Sequence, residues 1–124
     1  MQDIPESFKQ YSEYKGFNLY LEISAVMQLK FEHQLIDNNA LILYVVLCNF
    51  ANRYGWKMFS ATERKVLAYC NYSHGTFIKA RKRLISAKLI LHETDRKNTP
   101  KYFMVPIYRN IEQFREEVRK YQPK

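Results

Sequence analysis

Three observations predict a mainly α domain with a small β-hairpin. The 124 residues include only 3 glycines and 4 prolines, too few turn formers for a sandwich of many short strands. Between residues 19 and 87, successive stretches carry helical periodicity or helix-capping signals. The period then changes, and two β-rich runs flank a polar, charged segment.

Composition narrows the class further. A chain of this length is about one average domain and buries enough surface to fold without staples. Hydrophobic residues at 47% and charged residues at 26% are globular values and argue against disorder throughout. Two cysteines, Cys48 and Cys70, form neither a disulfide framework nor a four-ligand zinc site. The opening MQDIPESFKQ lacks a basic region followed by an apolar core, so no signal peptide is expected. The longest apolar run, residues 40–48, is too short to cross a bilayer. A cytoplasmic location with no membrane partner is the expectation.

The elements follow in order. Residues 1–16 are polar and rich in Tyr, Gln and Lys, and read as a leader. FNLYLEI alternates as a strand would, but Leu19, Ile23, Val26, Met27 and Lys30 trace a helical stripe. The stripe favours a helix over residues 19–32. Asp37, Asn38 or Asn39 can cap the next helix, over residues 40–53. That helix is apolar almost all round and is expected to be central, covered on every side, with Gly55 available for its C-terminal cap.

Residues 56–59 read as a short apolar connection. Ser60 and Glu63 form an S-x-x-E capping box for a short helix that buries Val66, Leu67, Tyr69 and Cys70. After Asn71-Tyr72, Ser73 caps a helix over residues 74–87 with Phe77, Ala80 and Leu84 inward. Residues 89–91 and 102–105 are the hairpin strands, with DRKNTPK between them as a turn segment. Beyond Pro106, Ile111, Phe114, Val118 and Tyr121 mark a C-terminal amphipathic helix. The expected organisation is a leader (1–16), a core domain (17–108) and that helix (109–124).

Helix, short helix, turn, helix and basic-tipped hairpin is the order of a winged helix-turn-helix. In that fold the second helix of the motif enters the major groove and the wing touches backbone or minor groove. Phase decides which side chains would point outward. With Phe77 as the core direction and 100° per residue, Ala80 and Leu84 lie within about 60° of it. Gly75, Lys79, Lys82 and Ser86 lie opposite, and Ile78 and Arg83 flank them. Arg81 falls near the core direction, so its stem should pack and its head should pair with a carboxylate.

The charge supports this face. The net charge is +8 and the sequence pI is about 9.5. Residues 1–72 are neutral, so the whole excess lies in residues 73–124. Lys79, Arg81, Lys82, Arg83, Lys88, Arg96, Lys97 and Lys101 stand there against only Glu93 and Asp95 between residues 79 and 101. Such polarity reads as a footprint for a polyanion, the alternative being a solvated surface with incidental lysines.

The candidate DNA contacts are therefore His74, Gly75, Thr76, Ile78, Lys79, Lys82, Arg83 and Ser86 on the helix, with Arg96, Lys97 and Lys101 in the wing. His74 and Thr76 serve capping or packing equally well. Asn98 and Thr99 are as readily turn residues.

Enzyme chemistry finds little support. His33, His74 and His92 are scattered, and no Gly-rich phosphate loop, G-x-S-x-G elbow or H-E-x-x-H occurs. No catalytic residue, cofactor or metal site is expected. The two cysteines read as inert core thiols.

Four segments carry a resemblance: YLEISAVMQL, NNALILYVVLCNFANRYGWKMFS, SHGTFIKARKRLISAKLI and KYFMVPI. The stretch from Tyr20 to Ile107 resembles the N-terminal winged-helix domain of DnaD-like phage replication initiation proteins, the replisome organisers of Gram-positive hosts. The turn at Asn52, Gly55 and Trp56 followed by F-S, and Lys79, Ala80, Arg81 and Leu84, are its most specific pieces. The resemblance implies that residues 52–56 are a structural corner. It also implies self-association and a part in loading the replicative helicase. Family members usually continue into a helical domain for single-stranded DNA and helicase partners, whereas one helix is expected after the hairpin in these residues, which are either a fragment or a short protein that keeps only the winged helix. Lys88 stands where many winged helices have the glycine of K-G-L-I, so the turn into the hairpin is expected to differ.

Three functions compete. The first is a phage or mobile-element protein binding double-stranded DNA in replication initiation, as a homodimer, with helicase-loading or other replication proteins as partners. The second is a transcriptional regulator on the same fold. The third is an adaptor or inhibitor gripping a replication protein through some of its 10 tyrosines, which would otherwise serve packing.

Overall fold

The computed structural model describes residues 19–34, 36–54, 58–95, 98–105 and 107. The leader through residue 16, the corner at Gly55 and Trp56, and the expected helix of residues 109–124 lie outside these. The element order is α1 (Leu19–His33), α2 (Asn38–Tyr54), β1 (Met58–Ser60), α3 (Glu63–Cys70), α4 (His74–Ser86), β2 (Ile90–Asp95) and β3 (Asn98–Met104). The strands form one antiparallel sheet in the order β1-β3-β2.

α1 is the expected helix, but its buried stripe is shifted in phase. Glu22, Ala25, Val26 and Leu29 face inward while Met27 is exposed, the i, i+3, i+4, i+7 pattern of one helical face. Glu22 is buried because its carboxylate accepts the Ile107 N–H at 2.7 Å, tying the chain beyond β3 to α1. Replacing Glu22 with Ala strands that amide. A loss of about 1–3 kcal/mol is expected in urea unfolding, with Glu22→Gln, which keeps an acceptor, much milder.

α2 begins where the sequence placed a cap: the Asp37 side chain accepts the Ala40 N–H at 2.8 Å. It is the central helix, packed against α1, α3, α4, β1 and β3. It is not covered all round, because Ile42 and Val45 are exposed. Cys48 is buried beside Tyr44, and burial pushes its thiol up to about 12, which suppresses the reactive thiolate.

The segment read as an apolar connection with a cap at Ser60 is a strand. Met58, Phe59 and Ser60 pair with Phe103, Tyr102 and Lys101 of β3, and the Ala61 N–H continues onto the Pro100 carbonyl. Ser60 is committed to the sheet, so Thr62 becomes the N-cap and accepts the Lys65 N–H. Within α3, Val66 and Cys70 are buried and Leu67 half-buried. Tyr69 is exposed, against expectation, and its ring meets Phe50 edge-on at 5.4 Å.

The polar segment of the hairpin is mostly strand. Asp95 pairs with Asn98, with a register irregularity between Glu93 and Asp95. Such a bulge accommodates Pro100, which brings no N–H to the central strand. The core is continuous from helices to sheet: Phe50 stacks on Phe59 at 6.1 Å, Phe59 on Tyr102 at 5.5 Å, and Tyr102 meets His92 at 5.0 Å.

Candidate nucleic-acid interface

α4 starts as the sequence predicts. Ser73 is extended, and its hydroxyl oxygen accepts the Thr76 N–H at 3.2 Å. The same hydroxyl donates to Thr76 Oγ1 at 3.0 Å. Thr76 thus serves the cap. His74 Nδ1 lies 2.6 Å from Glu63 Oε2, which links the first turns of α3 and α4. Asn71, in left-handed conformation, ends α3, and Tyr72 donates to the Asn39 carbonyl at 2.8 Å. The turn between α3 and α4 is therefore fastened to the start of α2.

The helical phase is also met. Phe77, Ala80 and Leu84 are buried, whereas His74, Gly75, Lys79, Lys82, Arg83 and Ser86 are exposed. Thr76 and Ile78 are half-buried at the edge. Lys79 lies one turn from Lys82 and Arg83, and residues three and four apart are surface neighbours on a helix. Nothing lies within 4 Å of the position a Cβ would take on Gly75. The fold itself leaves room for a larger residue there.

Arg81 is half-buried, as its phase required, and its guanidinium lies over the Phe77 ring, 5.1 Å from the centroid. That cation–π contact is where a carboxylate partner was expected. The helix end keeps its left-handed turn without glycine. Lys88 has φ 61°, its N–H reaches the Ile85 carbonyl, and the Leu89 N–H reaches that of Leu84. These two bonds define a Schellman motif, which holds the turn against the strain of a lysine in that region.

The wing divides the remaining candidates. Lys101 is half-buried in the middle of β3, between Ser60 and Glu93, away from the tip. Arg96 and Lys97 lie outside the described residues. The sequence did not single out His92 as more than a scattered histidine. Its Nε2 is buried with no hydrogen-bond partner. Burial, assisted by Arg81 and opposed by Glu93, lowers its pKa to about 4.

A pH dependence follows from the sign of that shift. The unfolded chain, with histidine near 6.5, takes up the proton first as pH falls. The His92 contribution is intact above about pH 6.5 and is lost progressively toward pH 4. Melting temperatures from pH 4 to 8 should show this decline, and His92→Leu should flatten it.

Among the described residues, no helix is long and apolar enough to cross a membrane, and no group of three or more His, Cys, Asp or Glu could hold a metal ion.

Two solved structures share the fold. One, described as "Structure of Rep-DNA complex", superposes with a TM-score of 0.52 at 17% identity, covering 99% of this chain and 100% of that one. The other, "N-Terminal domain of DNA binding protein", gives 0.53 at 15% identity, covering 99% of both chains. No family model and no curated protein matches the sequence. The architecture is a winged helix-turn-helix: α3 and α4 are the motif, and β2 and β3 are the wing, backed by β1 and α2.

Proposed function

We propose that this chain is a non-catalytic winged-helix protein that binds double-stranded DNA through the outward face of α4. The observation that carries the reading is the exposed row Gly75, Lys79, Lys82, Arg83 on a capped helix whose opposite face is core. Lysine and arginine there supply phosphate contacts that fix register, and base-edge contacts from the same face would supply sequence choice.

The biological setting we infer is replication initiation in a phage or mobile element, at origin DNA. The resemblance of residues 20–107 to DnaD-like domains supports it, as does a fold shared with a structure described as a Rep–DNA complex. The same resemblance supports a homodimer and helicase-loading partners in the cytoplasm. Origin binding predicts repeated sites near the protein's own replication genes. A regulator would instead bind a palindrome over a promoter.

The test is a titration against duplex DNA across a salt series. If about five to eight phosphates are neutralised, log affinity falls with log salt at a slope of about −4 to −7. A salt-independent or undetectable interaction at low salt refutes the reading. Gly75→Ala sharpens it. Alanine fits the open space and favours helix by up to about 1 kcal/mol, so the protein should melt no lower. If the glycine admits the DNA backbone, affinity should nevertheless drop several-fold.

A further inference from the structure

An open groove of about 500 Å³ lies beside α4, lined by Lys30, Gln34, Ile36, Asp37, Asn38 and Arg83. Local geometry builds it. Gln34, at φ 52°, returns its N–H to the Lys30 carbonyl at 2.8 Å and ends α1. The chain then reverses, buries Ile36 as an anchor and enters α2 at Asn38. Lys30, in the last turn of α1, and Arg83 of α4 line the same groove.

The lining is dominated by donors. The Lys30 ammonium and the Arg83 guanidinium carry no acceptor, and the Gln34 and Asn38 side-chain amides each offer an NH₂. The sole carboxylate among the described lining residues, Asp37, already has Oδ1 engaged with the Ala40 N–H, where the positive end of α2 offsets its charge. Two cations from separate helices share a groove, an arrangement that an anion between them relieves.

We propose that this groove holds a backbone phosphate of the bound duplex, flanking the segment that α4 contacts. The inference rests on the DNA-binding reading above. Arg83 provides the continuity: it is one turn beyond Lys79 on the outward face and also a wall of the groove. The contact thus extends from α4 onto α1, a helix that precedes the winged-helix core. Among the described residues that line the groove none is aromatic and none could stack a base, which favours a phosphodiester over a free nucleotide.

The experiment compares the wild-type chain with Lys30→Gln and Lys30→Arg in the salt series, on a long duplex and on one trimmed to the α4 site. On the long duplex, Lys30→Gln should reduce the magnitude of the slope by about 0.9. Its deficit against the wild type should therefore shrink about threefold between 50 and 200 mM salt. Lys30→Arg should behave as the wild type. On the trimmed duplex the variants should converge.

Wild-type binding with an unchanged slope for Lys30→Gln overturns this inference and leaves the α4 reading standing. Wild-type failure to bind any duplex removes both. Inorganic phosphate titrated at constant ionic strength should not compete; saturable competition lost in Lys30→Gln would make the groove a free-anion site and overturn the duplex assignment. Thermal melts of both variants check that the fold is retained.

Discussion

Reversing Lys79 and Lys82 to glutamate is expected to lower duplex affinity by a hundredfold or more at moderate salt. The double variant removes two cations and installs two anions on the most outward part of α4. Each lost phosphate contact takes about 0.9 from the salt slope, so two account for nearly two units. Repulsion between the new carboxylates and phosphate adds to the loss, and is strongest at low salt where screening is weak. The fold should tolerate the change, because both side chains are exposed and neither belongs to the core. Glutamate near the C-terminal end of α4 opposes the helix dipole at a cost of a few tenths of a kcal/mol. A folded variant that binds duplex as well as the wild type would move the function to another surface. An adaptor that grips its partner through tyrosines would be untouched by this reversal, so the same protein preparation separates the two classes.

What the sequence could and could not reveal follows from the range of each interaction. The α4 cap and inward face were legible because Ser73, Phe77, Ala80 and Leu84 act within one helix, at a spacing fixed by 3.6 residues per turn. The α1 helix was legible for the same reason, although Met27 and Glu22 exchange the expected inside and outside. Burial of Glu22 depends on the Ile107 amide, 85 residues away, and no local pattern signals a carboxylate with a remote backbone donor.

β1 was missed because three residues carry no usable period. Its strand character comes from pairing with Tyr102 and Phe103, and the nearby S-x-x-E spacing offered a stronger local signal that the sheet overrides. The Arg81 contact with Phe77 was half visible. Phase placed its stem inward, but i, i+4 spacing brought an aromatic face rather than a carboxylate. The Lys30–Arg83 groove was not visible at all, since it depends on how α1 packs and reverses.

Phe77→Ala should be among the most damaging single core substitutions, at about 3–5 kcal/mol in urea unfolding. The ring is completely buried in the core that α4 shares with α2 and the wing, and truncation leaves a cavity that the neighbouring backbone elements close only in part. The same ring carries the Arg81 guanidinium at 5.1 Å. Its removal therefore also takes away a cation–π contact worth about 0.5–2 kcal/mol and leaves a half-buried cation facing apolar surface. Domains of this kind are stable by only about 5–15 kcal/mol, so this loss is a large share of the total. Phe77→Leu retains much of the volume and should cost clearly less. It should also bind DNA normally in the folded fraction, because Phe77 faces away from Lys79 and Lys82. A cost below about 1 kcal/mol for Phe77→Ala would mean that α4 is not anchored by this ring. Ala80 and Leu84, also buried, would then hold the helix, and the alanine variant should bind duplex as the wild type does.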